Sequence, residues 1–265
     1  MRQRFLVLLT AVFSLTSLYA RGDEWKKQFA ISGKARLRVE TNDADIRISA
    51  GDGTEMQAQV ITEGYKIGEN DVRVTSRQTG DQVEIEVHRP SGLHMSMGWH
   101  ERYIRVEVRV PPEADLNLHS ADGNIRVENV KGELRIESGD GNVEVRSADG
   151  NLRAETQDGN VRANGRFDSV DIHTSDGNID AELEKGSSLS SGWTLRSGDG
   201  NIVLRIVDTL AADLDASSGD GHVTVDFPVT VSGSLRENSI RGKINGGGPS
   251  LQLRTGDGDI ELRRM

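Results

Sequence analysis

The chain has 265 residues, with 32 Lys+Arg against 42 Asp+Glu and a formal net charge of −10. It has no Cys, which excludes a disulfide framework, a Cys-ligated zinc site and a thiol nucleophile; the acidic balance argues against a surface that wraps nucleic acid. Apolar residues make up 35% and aromatics 4%, so, together with 30 Gly, any core is built from small units.

The N-terminus reads as an export signal. Arg2 and Arg4 precede an apolar run from Phe5 to Leu18, and Ala20 offers a small residue for cleavage. The 14-residue run is shorter than the about 20 residues a membrane span needs. No later stretch is apolar enough to cross a bilayer. Residues 1–20 are therefore expected to be a signal peptide, and the protein to reach the periplasm, the cell envelope or the outside.

Residues 21–115 read as an irregular β section that opens and caps the rest of the chain. Alternating patterns predict strands over Ala35–Glu40, Ile46–Ser49, Met56–Ile61, Val72–Ser76, Val83–His88 and Tyr103–Val110. Thr41-Asn42-Asp43-Ala44-Asp45-Ile46 resembles a worn copy of a corner motif that recurs after residue 116. Thr79-Gly80-Asp81-Gln82 reads as a hairpin turn. Pro111-Pro112 cannot lie in a central strand and marks the start of a regular array. No amphipathic helix is predicted.

Residues 116–265 repeat one template. Asp-Gly recurs at Asp122, Asp140, Asp149, Asp158, Asp176, Asp199, Asp220 and Asp257. Ser or Thr stands two residues before each Asp. Asn stands two after it, replaced by His222 and Asp259 in two copies. Apolar residues stand four and six before and three and five after, as in Leu134/Ile136 and Val143/Val145. This alternation makes each half a strand with one buried face. Gly at the corner is expected to supply a positive φ, and the Ser or Thr hydroxyl to satisfy a backbone group. On that reading Gly141→Val is severe because a β-branched residue resists positive φ, and Asp140→Asn is mild.

Two architectures fit. Asp-Gly between alternating strands can turn a hairpin, giving an antiparallel β meander. However, Asp122, Asp140, Asp158 and Asp176 lie 18 residues apart, as expected of stacked coils of about 18–20 residues. The later intervals of 23, 21 and 37 residues imply intruding loops.

The export signal, the segment Tyr103-Ile104-Arg105-Val106-Glu107-Val108-Arg109-Val110-Pro111-Pro112, and the serial Ser/Thr-x-Asp-Gly-Asn-apolar-x-apolar copies together resemble the bacterial "putative adhesin" β-strand-repeat family of unknown function. The resemblance spans roughly residues 30–265. It implies an all-β, single-stranded parallel β-helix, right-handed, in an envelope or secreted protein without catalytic residues.

The expected function is a non-catalytic, adhesin-like envelope protein or interaction scaffold that presents its solenoid surface to a partner. The partner is an unidentified envelope or extracellular protein or glycan, and not nucleic acid. The main alternative is a carbohydrate-active β-helix enzyme, which would use clustered carboxylates. Yet the acids here occupy repeat positions, and aromatics to stack on sugars are few. No catalytic, cofactor-binding or metal residue is assigned, and no cofactor is expected. Calcium on the Asp column is the weaker reading, since each Asp is expected to accept local backbone N–H bonds and to see nearby Arg. His94-Met95-Ser96-Met97-Gly98-Trp99-His100 offers soft sulfur and imidazole suited to copper(I), with His88 and His119 expected nearby. The alternative is a hairpin tip for partner contact. Trp193 holds a template apolar position and is expected to pack in the core.

Overall fold

A computed structural model describes residues 22–89, 102–231 and 236–265. The signal segment and His94–His100 lie outside the described residues. The described chain is all-β, with no helix.

The first strands are β1 (Glu24–Ala30), β2 (Ala35–Thr41), β3 (Asp45–Ala50) and β4 (Glu55–Glu63). Next come β5 (Arg73–Thr79), β6 (Gln82–His88), β7 (Tyr103–Val110), β8 (Ala114–Ser120), β9 (Ile125–Glu128) and β10 (Lys131–Ser138). Two long strands, β11 (Val143–Thr156) and β12 (Val161–Thr174), lie beyond them. The remainder is β13 (Ile179–Leu183), β14 (Trp193–Ser197), β15 (Ile202–Ile206), β16 (Ala212–Ser218), β17 (Val223–Val225), β18 (Val229–Val231), β19 (Ser239–Ile244), β20 (Ser250–Thr255) and β21 (Ile260–Arg264). All six strands expected before residue 116 are present. β1 is additional.

The strands build two stacks. One runs β6, β2, β8, β10, the second half of β11, the second half of β12, β14, β20 and β16, every neighbour parallel. The other runs β7, β3, β9, the first half of β11, the first half of β12, β13, β15, β21 and β17, again parallel throughout. Because β11 and β12 each contribute to both stacks, all 21 strands form one continuous sheet that does not close. Strands flanking an Asp-Gly corner, such as β8 and β9, do not pair with each other. They pair with the equivalent strand one coil away, Leu116 with Leu134 and Val143 with Val161. This solenoid-like stacking is what the 18-residue interval predicts, and the meander is not formed in the array. Among the described residues antiparallel strand pairs occur only toward the ends: β4 with β7 and β1, β5 with β6, and β19 with β16 and β18.

Asp149-Gly150 obeys the template but lies midway between the 18-residue corners, and, as that spacing implies, it is not at the common corner. It lies inside β11, paired in register with Lys131-Gly132 on the opposite edge of the coil. Gly150 there has φ +122°, and the flanking Ser147 has φ +49°. The coil order also changes at the end. β20 and β21 do not stack beyond β16 and β17 but slot between them and β14 and β15. The opening section shows the same inversion. The β2–β3 coil lies inside, between the later β6–β7 coil and β8–β9.

The alternating apolar side chains fill the space between the stacks. Leu118, Ile136, Ala154, Ile172 and Leu195 from one side, and Ile125, Val143, Val161, Ile179 and Ile202 from the other, are almost fully buried. Trp193 is 1% exposed and belongs to this core, as expected. Each buried Leu or Ile contributes roughly 1.5–3 kcal/mol relative to exposure.

The chain lacks Cys, so paired cysteines can test the inverted order cleanly. Thr194 lies in register with Gln252, which in turn lies in register with Asp215. Adjacent strands are about 4.8 Å apart, within disulfide reach, whereas strands two apart are not. Thr194→Cys with Gln252→Cys should crosslink under oxidation. Thr194→Cys with Asp215→Cys should not. The reverse pattern would mean that coils stack in chain order.

Candidate functional site

The Ser/Thr-x-Asp-Gly-Asn motifs form one edge of the stack, and each residue type there does different work. The hydroxyls form an internal ladder. Ser120 Oγ accepts from Gly123 N at 2.9 Å and donates to the Ala44 carbonyl at 3.1 Å. Ser138 Oγ donates to the Gly123 carbonyl, Thr174 Oγ1 to Gly159, Ser197 Oγ to Gly177, Thr255 Oγ1 to Gly200, and Ser218 Oγ to Gly258. These side chains are almost fully buried, so the bonds replace lost water. The expected backbone role of the hydroxyl is present, and it also joins one coil to the next.

The corner glycines do not adopt positive φ, contrary to expectation. The positive-φ glycines lie elsewhere. What excludes a side chain is proximity. A Cβ on Gly141 would stand 2.1 Å from the Gly123 carbonyl oxygen, and one on Gly177 1.9 Å from that of Gly159. The equivalent of these glycines in the β2–β3 coil is Ala44, whose carbonyl faces Gly123.

The Asn residues form a second ladder, on the outside. Asn124 Nδ2 donates to Asp45 Oδ1, Asn142 to Asn124, Asn160 to Asn142 and Asn178 to Asn160, at 3.0–3.1 Å. Each Oδ1 also accepts the backbone N–H of the next rung. This explains the departures from Asn. Asp45 starts the ladder, where only an acceptor is needed. At the far end, Asp259 Oδ1 accepts from His222 N at 2.8 Å.

The Asp residues behave differently. The column Asp43, Asp122, Asp140, Asp158, Asp176, Asp199, Asp257 and Asp220 runs along the edge, one per coil. Asp43 pairs with Arg89 at 2.8 Å. The other seven carboxylates have no hydrogen bond or ion pair among the described residues. The expectation that each accepts local N–H bonds and meets an Arg is therefore corrected. The corner is closed by the Ser/Thr hydroxyl, the Asn amide and backbone bonds, so the carboxylate is left facing solvent. Neighbouring charges about 4.8 Å apart repel by nearly 1 kcal/mol in water.

Beside this column, one outward row of the first stack reads Glu40, His119, Glu137, Glu155, His173 and Arg196 by register. His119 Nδ1 stands 3.6 Å from Glu137, and a groove of about 550 Å³ runs between this row and Asp122 and Asp140. His88 Nδ1 lies 2.8 Å from Asn42 Oδ1, and β2 separates its strand from His119. Among the described residues no three His, Asp or Glu side chains come together as a metal-ligand set. No helix among the described residues is long and apolar enough to cross a membrane.

The Toastrack DUF4097 family model matches residues 112–204. That span covers the coils whose spatial and chain orders agree. Three solved structures are similar to the chain. A "putative adhesin" from Bacteroides fragilis NCTC 9343 is 10% identical, with a TM-score of 0.46 over 92% of this chain and 97% of that one. A "putative lipid binding protein" from Parabacteroides distasonis ATCC 8503 is 14% identical, with a TM-score of 0.46 over 91% and 97%. A "putative cell adhesion protein" from Clostridium sporogenes ATCC 15579 is 14% identical, with a TM-score of 0.41 over 92% and 100%. No curated protein matches the sequence.

The separation of roles predicts opposite outcomes at residues only two apart. Asp140→Asn should leave the melting temperature unchanged or raise it, because it removes repulsion and breaks no bond. Ser138→Ala should destabilise by about 1–3 kcal/mol, since the Gly123 carbonyl loses a buried partner. Thermal or urea melts of the two variants decide the matter.

Proposed function

We propose that the protein is a non-catalytic, exported, adhesin-like envelope protein. Its coils form a single-stranded parallel β-helix, and its aspartate edge docks a partner with a complementary cationic surface. The observation that carries this reading is the column of seven carboxylates that the fold leaves unengaged among the described residues. The residues around them each have a structural task, and the Asp residues do not, which leaves interaction with something outside the chain as their use. The spacing of one charge per coil suits a partner with repeated positive charges. The excess of acidic over basic residues favours such a partner over nucleic acid. Export rests on the arginines, apolar run and small residue of residues 1–20. The non-catalytic reading is supported by the placement of the acids at repeat positions, since a catalytic pair needs a special environment that shifts its pKa.

The test is site-specific photocrosslinking in the native host. A crosslinker at Ser175, on the aspartate edge, should capture a partner that one at Asn164, toward the opposite edge, does not. Changing Asp122, Asp140, Asp158 and Asp176 together to Asn should abolish that capture while leaving the fold intact. Equal capture from both edges, or capture that survives the fourfold change, would remove the aspartate edge from the function.

A further inference from the structure

The second stack carries a separate polar groove at its opening end, of about 550 Å³, across β1, β4, β7, β3 and β9; its lysines are engaged, Lys26 by Glu24 and Lys27 by Ser76. That volume lies within the range of about 300–1,000 Å³ usual for ligand sites. Pairing places Gln57 beside Arg109, Arg109 beside Ser49, Gln59 beside Glu107, Glu107 beside Arg47, and Arg47 beside Arg126. The last of these is a like-charge pair on neighbouring strands, an arrangement that costs stability.

Most charges on this face are satisfied within the protein. Arg126 binds Glu144 at 2.5 Å and 2.7 Å. Partial burial pushes the Glu144 carboxyl up, but hydrogen bonds from Arg146 and Arg126 outweigh it and hold it below the usual carboxylate range. The two carboxylates that line the groove turn to other arginines, Glu107 to Arg105 at 3.6 Å and Glu128 to Arg146 at 3.8 Å. Arg47 and Arg109 are left with no ion pair and no side-chain hydrogen bond among the described residues. They are diagonal neighbours on adjacent strands, about 7–8 Å apart at Cβ. Gln57 and Ser49 flank them as uncommitted hydrogen-bonding groups.

We propose that this groove binds an acidic saccharide, with carboxylates on successive sugar units engaging Arg47 and Arg109 and the sugar hydroxyls engaging Gln57 and Ser49. Guanidinium groups take carboxylates bidentately, which fixes the orientation of the bound chain. The five strands that line the groove span about 19 Å, so an extended oligomer can follow it past both arginines and add contacts to Gln57 and Ser49 that a single small anion does not reach. This site is distinct from the aspartate edge and does not depend on its function. The overall negative charge of the protein disfavours unspecific attachment of a polyanion elsewhere.

Calorimetric titration of the folded protein at about 0.15 M salt, where screening confines attraction to about 8 Å, tests the proposal. The probes are oligogalacturonate, neutral maltohexaose and monomeric galacturonate. Oligogalacturonate should bind, maltohexaose should not, and the monomer should bind at least tenfold more weakly than the oligomer. Arg47→Gln combined with Arg109→Gln should weaken oligomer binding at least tenfold. Arg162→Gln, elsewhere on the same face, should change it less than twofold. Without ligand, Arg47→Gln should not lower the melting temperature, because it relieves the contact with Arg126, whereas a structural role would lower it. Absence of oligogalacturonate binding, equal binding of maltohexaose, or an affinity unmoved by the double change would overturn the proposal. So would an equal loss with Arg162→Gln.

Discussion

The constraint on which the rest depends is how closely successive coils approach at the Asp-Gly corner. The backbone of one coil passes so near the carbonyl of the next that no Cβ fits between them at Gly123, Gly141, Gly159, Gly177, Gly200, Gly258 or Gly221. Close approach brings the buried hydroxyls of Ser120, Ser138, Thr156, Thr174, Ser197, Thr255 and Ser218 within reach of the neighbouring coil. It also aligns the Asn amides into a continuous ladder. A wider spacing would lose both ladders and the registered pairing of the strands on either side. Stability is thus shared between neighbouring coils rather than held in one place, as in other stacked repeats.

Once the corner is closed by small and uncharged groups, the outer surface is free to vary. The two stacks use that freedom differently. The aspartate edge concentrates negative charge that nothing in the described protein neutralises. The opposite stack pairs most of its charges but leaves two arginines open at one end. The inverted order of the terminal coils has its own consequence. β20 and β21, although late in the chain, are paired on both sides, so β16, β17 and the antiparallel β18–β19 pair form that end. Short strands and antiparallel partners limit further parallel growth there.

Much of this architecture is legible in the sequence, and the rest is hidden for identifiable reasons. Alternation locates every strand from Ala35 to Val110 because each has one wet face and one that is buried or, in β5, half-buried at Val74 and Ser76. It misses β1 because in Glu24–Ala30 only Phe29 is buried, so the strand shows almost no period. The 18-residue interval reveals the stacking but not its order at the ends, since a motif at Asp257 is equally compatible with a place beside Asp220 or beside Asp199. Asp149-Gly150 has the right neighbours at every template position, and it is its place midway between the 18-residue corners, not its local pattern, that puts it on the opposite edge, where it pairs with Lys131-Gly132. The glycines stand out as obligatory, but positive φ and close approach demand the same residue, and only the packing separates them. For the candidate sites, the sequence displays a column of Asp. It does not display that Asn and Ser/Thr do all the bonding, nor that Arg47 and Arg109, about 60 residues apart in the chain, lie on adjacent strands.

The most direct test compares Gly141→Ala with Gly68→Ala by thermal melting and amide hydrogen exchange. A Cβ at Gly141 meets the Gly123 carbonyl at 2.1 Å, while one at Gly68 meets nothing within 4 Å. Neither glycine needs positive φ. The account predicts that Gly141→Ala destabilises by about 1–3 kcal/mol or more and exposes the amides of Ile125, Val143 and Val161 to exchange, while Gly68→Ala changes little. If Gly141→Ala melted like the wild type with those amides still protected, the coils would not be held by close approach at the corner, and the account would be wrong.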